Sequence, residues 1–191
     1  MMRTLICGLV AALVLVTAAA AQDRRVAVTF DDLPFQTDAA TLCDPARLMT
    51  ITQDFVAMLK PLDTHGTAFV NAGKVCEAER ATILPRVLDV WLDAGLDLGN
   101  HTNTHLNIHS TTVEAYLADV DAGAPILRDV LAARGQSLRW FRHPYLFTGE
   151  TPEKHDAIAA GLAQRGYTVA PVTIDNNDWM FADVYRKAEQ I

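Results

Sequence analysis

The chain has 191 residues, half of them hydrophobic and a fifth charged, with a formal net charge of -7. That composition excludes a disordered or collagen-like chain, and the length suits a single domain. With Lys and Arg outnumbered by Asp and Glu, 16 to 23, it carries no basic footprint for nucleic acid, and none is expected as a partner.

The chain opens on Met1-Met2-Arg3-Thr4, then an uncharged apolar run from Leu5 to Val16 and a small-residue stretch ending Ala19-Ala20-Ala21. This pattern predicts a secretory signal peptide over 1–21, cleaved ahead of Gln22. A mature domain over 22–191, periplasmic or secreted and without a membrane span, is the expectation. Cys43 and Cys76 then remain, and an oxidising compartment favours a disulfide between them.

Val26 to Phe30 predicts the first strand. Asp44-Pro45 supplies a helix cap and a Pro at the first helical position, and Leu48, Ile51, Phe55, Leu59 and Leu62 follow at helical spacing. Thr67 to Val70 predicts a second strand. Pro85 opens a helix that stops at Gly95, before a short strand at Leu96–Leu98. Thr111 and Glu114 have the spacing of a capping box, for a helical region split near Gly123 and Pro125 and ended by Gly135. Leu138 to Phe141 is a fourth strand, Thr151-Pro152 caps a helix reaching Gly166, Tyr167 to Ile174 is a fifth strand, and Ala182 to Ile191 a last helix.

Alternating strands and helices imply a parallel sheet with right-handed crossovers, which an open doubly wound sheet and a (β/α) barrel both satisfy. No glycine-rich phosphate loop follows a strand. Polar clusters do follow four of them: Asp31-Asp32, His101 with His105, Arg142-His143-Pro144-Tyr145, and Asp175 to Trp179. In a parallel fold these positions share the carboxyl ends of the strands. One carboxylate and two imidazoles suit an open three-ligand site for zinc or a similar ion, and a second carboxylate beside them can act as a base. Such a set suits hydrolysis of an amide or ester.

These four segments resemble the motifs of the polysaccharide deacetylases with the NodB-homology domain, carbohydrate esterase family four: Thr29-Phe30-Asp31-Asp32, His101-Thr102-Asn103-Thr104-His105, Arg142-His143-Pro144-Tyr145 and Asp175-Asn176-Asn177-Asp178-Trp179. The resemblance implies an α/β fold, a distorted (β/α) barrel. It implies one divalent ion, zinc or cobalt, on Asp32, His101 and His105, with Asp31 as catalytic base and Arg142 orienting it. The Tyr145 backbone N–H would hold the oxyanion, Asp178 would pair with Arg142, and Trp179 would wall the pocket. The substrate would be an acetylated sugar or polysaccharide. The family also carries a late Leu-x-x-His-like segment whose His is the general acid. No His follows His155 here, so the barrel is expected to lack its last strands. His109 and His143 are the spare histidines nearest the motifs. Hydrolysis of another linear or cyclic amide, or of O-acetyl esters, is the alternative on the same scaffold, and a non-catalytic carbohydrate-binding fragment is the alternative outside it.

Overall fold

The structure is a computed structural model that describes residues 26–188. The expected signal peptide lies outside them. Five parallel strands pair in the order β1 (Val28–Leu33), β2 (Gly66–Val70), β3 (Asp97–Asn100), β4 (Trp140–Phe141) and β5 (Thr168–Val169). The order never reverses, as it must in a doubly wound sheet. Crossovers of one hand then put the intervening helices on one side, as around a barrel wall. Among the described residues β1 and β5 are the two edges of the sheet.

Among the described residues six α-helices accompany it: α1 (Ala39–Leu42), α2 (Pro45–Leu59), α3 (Glu77–Asp93), α4 (Val113–Ala132), α5 (Pro152–Gln164) and α6 (Asp178–Ala188). Asp44 caps α2 by accepting from the Ala46 and Arg47 amides, and Thr151 caps α5 by accepting from Lys154. The main core lies between the first three strands and α2, α3 and α4, around the fully buried Leu48, Leu84, Leu88 and Trp91. A smaller core, around Tyr116, Phe141, Ile158 and Leu162, joins the far end of the sheet to α4 and α5.

Several expected boundaries move, each for a local reason. Neither Pro85 nor Pro125 starts or splits a helix; both lie inside one, α3 and α4 respectively. Each removes a single backbone donor, while the buried faces on both sides, Ile83 to Trp91 and Val120 to Leu131, hold the helix together. The cap of α4 is Thr112 accepting from Ala115, so the Thr111–Glu114 capping box does not form. The fifth strand stops at Val169 rather than Ile174; the Thr168 and Ala170 amides donate to the Arg139 and Phe141 carbonyls of the neighbouring segment, and the chain leaves the sheet beyond them. The last helix begins at Asp178, earlier than Ala182.

The first motif does not follow β1 but lies inside it. The register with β2 is regular from Val28 to Phe30, then shifts by one residue before Leu33. In an unbroken strand Asp31 and Asp32 would point to opposite faces. The bulge, with Asp32 at a left-handed φ of 68°, lets both carboxylates serve the same end of the sheet.

Candidate metal and hydrolytic site

β1 and β3 carry the three candidate ligands. Asp32 comes from the bulge, His101 directly follows β3, and His105 follows one turn later. One ligand atom from each lies within 4.8 Å of the other two. Asp32 Oδ1 is 3.2 Å from His105 Nε2 and 3.8 Å from His101 Nε2.

The loop carrying the histidines is held through its backbone amides and through the hydroxyls of Thr102 and Thr104. Asn100 Oδ1 accepts from Thr102 N at 2.7 Å, while its Nδ2 donates to the Val120 carbonyl and the Tyr167 hydroxyl. Asp119 on α4 accepts from the amides of Asn103 and Thr104 and from the Thr104 hydroxyl. Thr102 Oγ1 accepts from His105 N at 3.0 Å, and Asn71 Nδ2 donates to the carbonyls of His101 and Thr102. Thr102 and His105 both take left-handed backbone, φ 65° and 61°. Such strain persists only where the surroundings over-determine it, and these bonds do so. Gly123 permits the close approach of α4: a Cβ there would stand 3.0 Å from Asn103 N.

The tautomer of His101 follows from its partner. Its Nδ1 is 2.8 Å from the Arg142 carbonyl, which can only accept, so Nδ1 carries the proton and Nε2 keeps its lone pair for the site. Burial lowers the His101 pKa to about 3, so the ring is neutral near pH 7. Burial lowers that of His105 as well. A neutral imidazole pair with a carboxylate fits an oxygen- and nitrogen-liganded divalent ion. Burial pushes Asp32 up, but the Lys74 ammonium, 2.8 Å away, leads the interactions that leave it below its ordinary value. Lys74 gains less from the pair, since its burial disfavours the ammonium more than Asp32 favours it.

Asp31 stands beside this group. Arg142 Nη1 donates to both its oxygens at 3.1 and 3.3 Å. Arg142 is 3% exposed, and its other nitrogens are taken: Nε donates to the Ala170 carbonyl at 2.8 Å and Nη2 to Thr29 Oγ1 at 3.3 Å. Its guanidinium carbon lies 4.6 Å from the centre of the Phe69 ring. Burial raises the pKa of Asp31, Arg142 partly offsets it, and the nearby charges of Asp32 and Asp178 raise it further.

One sequence expectation is not met here. Asp178 does not pair with Arg142, whose nitrogens already have the partners above; it sits exposed at the start of α6 and acts on Asp31 through its charge. Trp179, the next residue of α6, is 61% exposed. Tyr145 stands at the site with left-handed backbone, φ 58°, its ring 4.5 Å from that of His105. His109 stacks on Phe147 instead of joining the ligands. His143 is buried against Tyr116, 3.0 Å from its hydroxyl, and burial lowers its pKa to about 4.

Lys74, Gln36, Asn71, Asn100 and Asp119 were not anticipated. Gln36 donates to Asp32 Oδ2 at 2.9 Å. Asn100 directly precedes the first histidine and could have been suspected; the others lie 4 to 42 residues from the groups they serve.

A family model described as polysaccharide deacetylase matches residues 18–170, most of the chain. The chain belongs to the polysaccharide deacetylase family. No curated protein sequence matches it. Three solved structures show where the family fold recurs. A family 4 carbohydrate esterase from Streptomyces lividans, in complex with acetate, is 21% identical with a TM-score of 0.56, covering 81% of this chain and 65% of its own. The chitin deacetylase of Colletotrichum lindemuthianum is 22% identical with a TM-score of 0.55, covering 81% and 57%. A CE4 family pseudoenzyme from Bacillus anthracis is 18% identical with a TM-score of 0.53, covering 80% and 46%. This deacetylase-family chain therefore spans less than two thirds of the length of these relatives. No helix among its described residues is long and apolar enough to cross a membrane.

Proposed function

We propose that the protein is a secreted, metal-dependent hydrolase that removes N-acetyl or O-acetyl groups from a carbohydrate. The observation that carries this is the convergence of Asp32, His101 and His105 within 4.8 Å, beside an Asp31 held by a buried arginine. Asp32, His101 and His105 would hold one divalent ion, zinc or cobalt. Such an ion, when bound, lowers the pKa of a coordinated water and polarises a carbonyl.

The chain's own groups supply the rest. Asp31 takes the proton of the attacking water, and its pKa, raised mainly by burial, makes it a stronger base than an exposed carboxylate. Arg142 fixes the Asp31 carboxylate. The Tyr145 N–H meets the negative charge that develops on the acetyl oxygen as the water oxygen bonds to the acetyl carbon. The bond to the sugar nitrogen or oxygen then breaks, and that atom takes up the proton that Asp31 removed from the water. Asp178 acts on Asp31 through its charge, and the exposed Trp179 ring is available to line the substrate's approach.

The test measures acetate release from a chitin oligomer and from an acetylated xylan by zinc-loaded protein. Asp31→Asn should keep the zinc and lose at least about 100-fold in rate, whereas His101→Ala and His105→Ala should lose the zinc. Full zinc content in both histidine variants, or an unchanged rate in Asp31→Asn, overturns the assignment.

A further inference from the structure

Lys74 stands on a short turn, Ala72–Lys74, at the end of β2, and that turn is fixed from several sides. Asn71 N donates to the Leu33 carbonyl beyond the bulge, and Gly73 N donates to the Asn103 carbonyl of the histidine loop. A Cβ at Gly73 would meet Asn103 at 2.7 Å, so the turn lies directly against that loop. Arg80 Nη2 donates to the Gly73 carbonyl, and Cys76 follows two residues after Lys74. From this support the Lys74 side chain, 15% exposed, brings Nζ to 2.8 Å from Asp32 Oδ1. That oxygen is the one lying 3.2 and 3.8 Å from the two histidine Nε2 atoms. A cationic side chain is thus anchored on the shared oxygen of the ligand set, although no step of the proposed hydrolysis needs it.

We infer that Lys74 is a built-in competitor for the metal: its ammonium and a divalent ion contend for Asp32 Oδ1, and metal uptake requires the lysine to be displaced. This rests on the metal reading of the site. An ammonium and a divalent cation repel each other at such range, and the partly buried setting screens them weakly. The lysine also keeps the Asp32 carboxylate neutralised and aimed at the histidines, so its displacement trades one cation for another instead of assembling the site anew. The consequence is a centre with weaker affinity than its three ligands alone would have, and with uptake that depends on metal supply.

The experiment measures zinc affinity of the full chain by competition with a chromogenic chelator. Lys74→Met, which keeps the length and removes the charge, should bind zinc at least about tenfold more tightly than the wild type, and Lys74→Arg should not. In the wild-type protein, saturating zinc should raise trace acetylation of the Lys74 amine relative to exposed Lys60, read by peptide mass spectrometry; this arm needs no variant to fold. Equal or weaker zinc binding by Lys74→Met overturns the inference, and so does Lys74 labelling that is unchanged or reduced by zinc. Zinc uptake by wild type and Lys74→Met at equal affinity removes only the role of Lys74, whereas no uptake by either removes the metal centre itself.

Discussion

The two ends of the sheet are built differently. β1 and β2 run for six and five residues, and the core beneath them and β3 is sealed by Phe30, Phe55 and Trp91, whose rings meet at 5.6 Å. β4 and β5 have two residues each, and beyond them Ile174, Trp179, Phe181 and Tyr185 are 65 to 83% exposed in all but Trp179, at 61%. The candidate ligands sit at the dense end, where buried amides fix their loop, and the fourth motif sits at the sparse end. A metal site needs its ligands held to tenths of an ångström, and the dense end supplies that restraint. Asp178 and Trp179 have no comparable frame, and the expected Arg142–Asp178 pair is not formed there.

Substitution of the two tryptophans probes this contrast most strongly. Trp91→Ala should cost about 3–5 kcal/mol in chemical denaturation, since a wholly buried ring would leave a cavity. A loss below about 1 kcal/mol would mean that the dense end is no firmer than the other.

The expected Cys43–Cys76 bridge would tie α1 and α2 to the start of α3, again at the dense end. The Cα atoms are 5.1 Å apart and 33 residues separate the two in sequence, so the geometry suits a bridge. Denatured, non-reduced protein recovered from the periplasm should show no titratable thiols, and reduction should lower stability by up to roughly 4 kcal/mol in the chain-entropy account. Two free thiols would refute the bridge.

A pH effect tests the smaller core. His143 has a folded pKa near 4, below the ordinary 6.5, so the unfolded chain binds its proton first as the pH falls. Its contribution to stability is therefore full above about pH 6.5 and is lost as the pH drops toward 4. His143→Gln should flatten that part of the pH–stability profile; an identical slope in the variant would remove His143 as its source. The smallest effect belongs to Trp179→Ala, expected within about 0.5 kcal/mol of the wild type. A larger loss would place that side chain in a packed setting and erase the contrast between the two ends.

The amino-acid sequence by itself determined the parallel α/β plan, the order of the polar clusters, and the residue types of the candidate ligands, because these follow from local periodicity and from motif spacing. Asp44 and Thr151 were readable as caps since a cap involves only neighbours within three residues. Pro85 and Pro125 misled because local helix breaking lost to burial along the whole helix face, a tertiary effect. The bulge at Asp31–Asp32 was invisible in the residue string, since it exists only against the register of β2. The same holds for the groups around the site. Lys74 meets Asp32 across 42 residues and Arg142 meets Asp31 across 111, so neither distance has a local signature. Sequence spacing names the ligands, but only the packing of β2, β3 and α4 against one another decides which charges and amides surround them.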